Sequence, residues 1–140
     1  MGQRYSASLH EPCRNGDVDA LRERLAKGGD VERINKIDGA GRTPVFVAAE
    51  KAHNDCLRLL LEHGADPNIP DKSGVTPLHA TVLSHHLGTM RILLQHGTDA
   101  TKQDGKGRTP VQIARATEAH DLARDLDRAA ADWYHDATVT

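Results

Sequence analysis

The feature that most constrains the fold of this chain is a motif that recurs at a fixed interval. Three Thr-Pro pairs begin at Thr43, Thr76 and Thr109, so the first and second pairs are as far apart as the second and third. The sequences around them, DGAGRTPVFVAAEKA, DKSGVTPLHATVLSH and DGKGRTPVQIARATE, align without gaps. Self-similarity at a fixed period is the mark of a repeat architecture. We therefore expect a stack of similar units.

The sequence of each unit predicts a tight turn followed by two short helices. In the third copy, Asp71 and Gly74 are favoured at the first and last positions of a type I turn. Thr76 is then a helix N-cap, and Pro77 suits the first helical position. His85, His86 and Gly88 break the pattern before a second, more apolar helix that starts near Met90, and Gly97 favours a left-handed ending after it. Helices this short are marginal in water, so each pair needs its neighbours.

Both ends of the array are predicted to be degenerate copies, which is expected where a repeat lacks a neighbour on one side. In the first copy, Ala7-Ser8-Leu9-His10 stands where TPLH stands later, and Pro12 falls inside the first helix. In the last copy, Asp125 and Asp127 replace Leu or Ile. We expect those carboxylates to face water, with Ala129–Ala131 prolonging the helix and the tail through Trp133 and Tyr134 either folding back or remaining loose.

The pattern D-x-x-G-x-T-P-L-H-x-A with L-L-x-x-G-A-D resembles the ankyrin repeat family. The resemblance implies an all-α solenoid of four helix-turn-helix repeats with β-turn fingers and degenerate capping repeats. It covers one domain at about residues 2–130, with repeats at about 2–37, 38–70, 71–103 and 104–131, followed by a C-terminal tail at 132–140. It also implies that His79 is a hydrogen-bonding strut between repeats.

The connection between the first and second copies carries three extra residues within Val31–Ile37. Insertions in repeat proteins usually fall in loops, often on the binding face. Two interpretations are open: a longer finger that contacts a partner, or a neutral insertion.

The family resemblance implies that partners bind through the finger tips and the exposed side of each first helix. We call these positions the groove surface: Arg4, Arg14, Asn15, Arg33, Lys36, Arg42, Glu50, Lys51, Lys72, Val75, Leu83, Ser84, Lys106 and Arg108. Glu50 is the only acid among them, although the net charge of the chain is −2. Our hypothesis is a protein partner with an acidic segment, around an apolar centre of Val75 and Leu83. The alternative is that these cations only keep the array soluble.

Other classes of function lack a signal. No metal-binding or phosphate-cradling motif is present, so we expect no cofactor, no metal and no enzyme activity. Nucleic acid is not expected, because the groove surface has no aromatic residue for base stacking. Cys13 and Cys56 form no disulfide framework and fit a reducing compartment, so we expect a cytoplasmic protein, with the nucleus as a second location. The N-terminus has no apolar run that would make a signal peptide or a membrane span.

The sequence thus predicts a monomeric, non-catalytic interaction module acting as a small regulatory adaptor or inhibitor. One alternative is a lipid-anchored membrane adaptor, because Met1–Ser6 matches the myristoylation pattern with Gly2 as acceptor. Another is a protein similar to the four-repeat inhibitors of cyclin-dependent kinases. Those inhibitors shorten the first helix of their second repeat, whereas PVFVAAEKA predicts a full-length helix here.

Overall fold

The computed structural model describes residues 8–27 and 31–139, and within these ranges the chain forms nine α-helices and no strand. The helices are α1 (His10–Asn15), α2 (Val18–Ala26), α3 (Val31–Ile34), α4 (Pro44–Glu50), α5 (Asn54–Glu62), α6 (Pro77–Leu83), α7 (Leu87–Gln95), α8 (Pro110–Ala116) and α9 (His120–Val139). The expected all-α fold is confirmed.

The helices stack in two rows. First helices pack in the order α1, α4, α6 and α8, and second helices pack in the order α2, α5, α7 and α9. Each first helix also contacts the second helix of its own pair. Helix α4 has seven residues, the same as α6 and α8, so the full-length helix expected in the second repeat is confirmed.

The Thr-Pro pairs start the first helices in the way that the sequence predicts. The hydroxyl oxygens of Thr43, Thr76 and Thr109 accept hydrogen bonds from backbone N–H groups three residues on, at 3.1, 3.3 and 3.3 Å. The following proline occupies the first helical turn, where its missing N–H leaves no bond unmade. The same local structure therefore recurs at all three positions.

The break between first and second helices is shorter than the sequence suggested. Helix α7 begins at Leu87, so Gly88 lies inside it. The chain reverses instead at His85, whose φ is +58°, and Ala52 and Glu118 take the same left-handed conformation in their own repeats. Gly16 has φ +72° at the corresponding place in the first copy. A left-handed residue thus joins the two helices of every pair.

Apolar side chains from both rows fill the space between the rows. Leu57 and Leu60 in α5 are fully buried, as are Met90 and Leu93 one repeat later in α7. Burying a side chain of this size stabilises the fold by roughly 1.5–3 kcal/mol. Because residues of neighbouring repeats share this core, a single helix pair on its own would leave these side chains exposed to water.

The first copy tolerates its proline because of where the helix begins. Helix α1 starts at His10, so Pro12 is its third residue, and the N–H groups of a first turn have no partner inside the helix. The carbonyl of Pro12 accepts from the backbone N–H of Asp17 at 2.9 Å. Pro12 therefore sits in the helix without breaking it.

The three extra residues do not lengthen a finger. They form part of the helical turn α3, in which Ile34 is 3% exposed and belongs to the core. Asn35 follows it, and its side-chain oxygen accepts from the backbone N–H of Asp66 at 2.9 Å. Of the two open interpretations, the structure does not support a longer finger, because the insertion forms a helical turn whose Ile34 is buried in the core.

Helix α9 differs from the expectation in two ways. Asp125 does not face water: its carboxylate is 18% exposed and accepts from Arg91 Nε in α7 at 2.6 Å. Asp127 bonds Arg115 in α8 at 2.6 and 2.8 Å. The helix also runs to Val139, so the backbone of the tail neither folds back nor is loose up to that residue. The two carboxylates tie α9 to both helices beneath it.

The turns at residues 38–42, 71–75 and 104–108 are the second, third and fourth fingers, and successive ones lie closely against each other. Lys72 N donates to Ala40 O and Gly105 N donates to Ser73 O, both at 3.1 Å. A Cβ atom built on Gly74 would lie 2.5 Å from Gly105 N, which is too close for a real side chain. Around Gly107, the corresponding residue of the last finger, nothing lies within 4 Å of such an atom.

We expect Gly74→Ala to destabilise the protein more than Gly107→Ala. Both glycines are left-handed, at φ +79° and +77°, so alanine costs roughly 1–2 kcal/mol at either site. Only Gly74→Ala must also displace the next finger, which adds roughly 1–3 kcal/mol. Urea unfolding of both variants measures the difference, and equal losses would contradict the finger packing described here.

Candidate functional site

Each finger is held in shape by the carboxylate of its first residue. Asp71 Oδ1 accepts from the backbone N–H groups of Ser73 and Val75 at 2.8 and 3.0 Å. Asp38 and Asp104 bond the corresponding N–H groups in their own fingers. The backbone N–H of Arg108 holds the pKa of Asp104 below its ordinary value. Burial raises the pKa of Asp38, but the N–H groups of Arg42 and Ala40 outweigh it and lower the net value.

Two cations of the groove surface are used inside the fingers. Arg108 contacts the Asp104 carboxylate through Nε and Nη2 at 3.1 and 3.0 Å. Arg42 lies 3.5 Å from Asp38 and 3.4 Å from Glu50, so the one acid of the groove surface is paired as well. These arginines brace their own repeats and add little net charge to the surface.

The remaining cations are exposed and carry their charge into solvent. Arg14, Lys51, Lys72 and Lys106 are exposed and form no ion pair with any residue in the described ranges. Lys36 is exposed in the same way, whereas Arg33 is half-buried and donates to Arg24 O at 3.2 Å. Net positive charge on this face therefore comes from lysines and Arg14.

One apolar side chain on this face is open to solvent. Leu83, at the end of α6, is 54% exposed, and Val75 in the neighbouring finger is half-buried. Ser84 and Asn15 are exposed at the ends of their helices. Leu83 occupies the register of Arg14 in α1 and Glu50 in α4, so it lies in the row of first-helix ends.

Histidine struts link neighbouring repeats. His79 Nε2 lies 2.8 Å from Arg108 O, and His10 Nε2 lies 2.8 Å from Arg42 O. Because a carbonyl can only accept, His79 Nε2 carries the proton and Nδ1 accepts from Thr76 N–H at 3.3 Å. The strut that the family resemblance implied for His79 is present, and His10 repeats it. Burial lowers the pKa of His79.

Sequence reasoning missed a second set of links made by asparagine. The side-chain oxygen of Asn68 accepts from Asp99 N at 2.8 Å, which repeats the bond from Asp66 N to Asn35. Asn35 and Asn68 are separated by the same interval as the Thr-Pro pairs, so the period carried the signal. These asparagines position the connections between repeats.

The other candidate groups show no chemistry of their own. Burial raises the pKa of both Cys13 and Cys56, which keeps the two thiols protonated and unreactive. In the described part of the chain, no group of histidine, cysteine and carboxylate side chains could hold a metal ion. Nor is any helix there long and apolar enough to cross a membrane. Gly2 and Arg4 lie outside the described residues.

Comparison with known proteins identifies the repeat. A family model of ankyrin repeats, in three copies, matches residues 9–104. The chain belongs to the ankyrin repeat family. Ankyrin repeats are generally modules for protein–protein interaction and are typically non-catalytic. The four pairs of helices agree with four repeats, while the boundaries of the copies remain predictions.

Several curated proteins share part of this ankyrin array. The human DNA-binding protein RFXANK is 41% identical over 64 residues, which is 46% of this chain and 24% of the relative. Human transient receptor potential cation channel subfamily A member 1 is 32% identical over 44% of this chain and 5% of the relative. The putative ankyrin repeat protein FPV222 of fowlpox virus is 44% identical over 41% and 7%. The matches thus cover a quarter or less of these relatives.

We expect acid to weaken the His79 strut. Because the folded pKa is lowered, the unfolded chain binds a proton at His79 more readily than the native protein does. The strut's contribution is complete above about pH 6.5, the ordinary histidine pKa, and is lost as the pH falls toward the folded value.

The matched variant is His79→Gln, since Gln112 already makes the same capping contact with Thr109 N at 2.8 Å. Urea unfolding at about pH 7.5 and about pH 5.5 should show a smaller loss of stability for this variant than for wild type. Identical losses would show that another group titrates.

Proposed function

We propose that this ankyrin array is a non-catalytic regulatory module that binds an acidic segment of a partner protein on its groove surface. The observation that supports it is the set of exposed cations Arg14, Lys51 and Lys72, which form no ion pair within the described ranges, on the face that also carries the exposed Leu83. Charges of this kind speed the encounter with an acidic partner, and an exposed leucine offers it an apolar contact. The module would act as an adaptor or inhibitor by covering its partner, as a monomer in the cytoplasm.

The competing functions have less support. RFXANK is described by its name as DNA-binding, but the match covers 24% of it. Phe46, which lies between Arg42 and Glu50 in sequence, is 2% exposed and unavailable for base stacking. The full length of α4 argues against a protein like the cyclin-dependent kinase inhibitors. Lipidation at Gly2 stays an alternative, tested by the intact mass of protein made in a eukaryotic host.

The test uses charge reversal at exposed cations that form no ion pair within the described residues. We expect Arg14→Glu, Lys51→Glu and Lys72→Glu together to slow association with a fluorescent polyglutamate peptide roughly 10-fold or more at low salt. The wild-type rate should fall steeply as salt is raised, because exposed charges are screened. Stopped-flow mixing measures both. Arg42 and Arg108 are left unchanged, because their reversal would disrupt the fingers that they brace.

A matched control makes the same change in net charge elsewhere. Arg22, Lys27 and Arg124 are exposed residues on or beside second helices, and their reversal to Glu should leave the association rate close to that of wild type. If both triple variants slow binding equally, the effect comes from total charge and not from the groove surface. A wild-type rate that does not depend on salt would also contradict the proposal.

A further inference from the structure

Two of the described fingers each carry a peptide unit that lies on a glycine of the finger before it. The Asp71–Lys72 unit covers Gly41, and the Asp104–Gly105 unit covers Gly74. In both cases the N–H of that unit donates to a carbonyl, from Lys72 to Ala40 and from Gly105 to Ser73. The contact has the same form at both interfaces, so the face of a finger is built to receive one peptide unit.

The fourth finger presents the same face uncovered. Lys106 O stands one repeat after Ser73 O, and it accepts no hydrogen bond from the described part of the chain. Space is open around Gly107, where the equivalent positions at Gly41 and Gly74 are occupied by the next finger. We call the surface formed by Lys106 and Gly107 the open finger face; Lys102 lies four residues before Lys106 in sequence.

The charge on this face has one sign. Asp104 is the only acid between residues 102 and 108, and its buried carboxylate is bonded to Arg108. Lys102 and Lys106 are exposed, and neither forms an ion pair within residues 8–27 or 31–139. An occupant of the open finger face therefore meets the positive charge of Lys106 and one carbonyl acceptor, and Lys102 adds a second exposed positive charge close by in sequence.

We infer that the open finger face docks an acidic protein segment, which lays one peptide unit across Gly107 and donates its N–H to Lys106 O. Its carboxylates lie toward the amines of Lys102 and Lys106. This inference rests on the proposed function and deepens it, since it assigns the anchoring point of the same acidic partner to the end of the finger row. The partner's peptide unit takes the place that a further finger would take.

A second copy of the chain fits this face less well. Its peptide units at Asp71–Lys72 and Asp104–Gly105 already lie on its own fingers. Its remaining described finger starts at Asp38, which is paired with Arg42 and so offers no uncompensated negative charge. Charge complementarity therefore favours an acidic segment.

The test compares two synthetic probes on intact protein. One is a short glutamate-rich peptide with a central Asp–Ala unit, and the other carries N-methylalanine there, which removes one N–H and keeps every charge. Fluorescence anisotropy should give wild type roughly 3–10-fold weaker binding of the N-methylated probe, as expected for one lost hydrogen bond. Gly107→Asn and the pair Lys102→Glu with Lys106→Glu should each weaken binding of the first probe roughly 10-fold.

Gly107→Asn is chosen because asparagine tolerates the left-handed conformation and the space beside it is empty. The unfolding midpoint of Gly107→Asn should stay close to that of wild type. The double variant Lys102→Glu with Lys106→Glu tests binding a second time without changing a glycine of the backbone. The control pair Lys27→Glu with Arg124→Glu should bind like wild type.

The outcomes separate this inference from the proposed function. If the Arg14, Lys51 and Lys72 reversal weakens binding while Gly107→Asn, the lysine pair and the N-methylated probe have no effect, the open finger face is overturned and the proposed function stands. If wild type binds neither probe, both fail. Self-association in gel filtration that Gly107→Asn abolishes and the peptide does not would assign the face to a second copy and overturn the inference.

Discussion

The packing of each helix pair against the next is the constraint on which the whole structure depends. The first helices α4, α6 and α8 have seven residues and the second helices α5 and α7 have nine, lengths that are marginal in isolation. Leu57, Leu60, Leu78 and Leu93 are fully buried in a core that neighbouring pairs share. Stability is then a property of the interfaces between repeats. Struts such as His79 and links such as Asn68 add polar bonds to the same interfaces.

This arrangement decides which charges are available for binding. Finger shape requires a carboxylate that accepts backbone N–H groups, and in two fingers an arginine four residues later closes on that carboxylate. Val75 takes that place in the third finger, so Asp71 has only backbone donors there. A count of basic residues on the groove surface therefore overstates its positive potential. The exposed lysines, whose side chains are long and flexible, carry most of the positive charge that a partner would meet.

The repeated sequence motif predicted the parts of the fold that depend only on residues close together in the chain. Caps at Thr76 and the turn from Asp71 to Gly74 need only residues a few positions apart, so the sequence was sufficient for them. The pairing of Arg42 with Glu50 and of Asp125 with Arg91 depends on helix packing, which spacing does not show. The insertion could not be placed for the same reason, because the burial of Ile34 depends on packing against residues that are distant in sequence. Membership of the groove surface, taken from the family, stays a prediction.

The two halves of the last repeat end differently, and physical chemistry explains why. Exposing an apolar helix face to water would cost free energy, and α9 completes the helix rows with polar side chains. The ion pairs of Asp125 and Asp127 hold this helix against its neighbours. The row of fingers does not have an apolar helix face to cover. The carbonyl of Lys106 can accept a hydrogen bond from water instead of from a protein N–H. Exchanging one hydrogen-bond partner for the other costs little free energy. Within the described residues, the face of the fourth finger is therefore left open at little cost in stability, and it retains the geometry with which the second and third fingers hold a peptide unit.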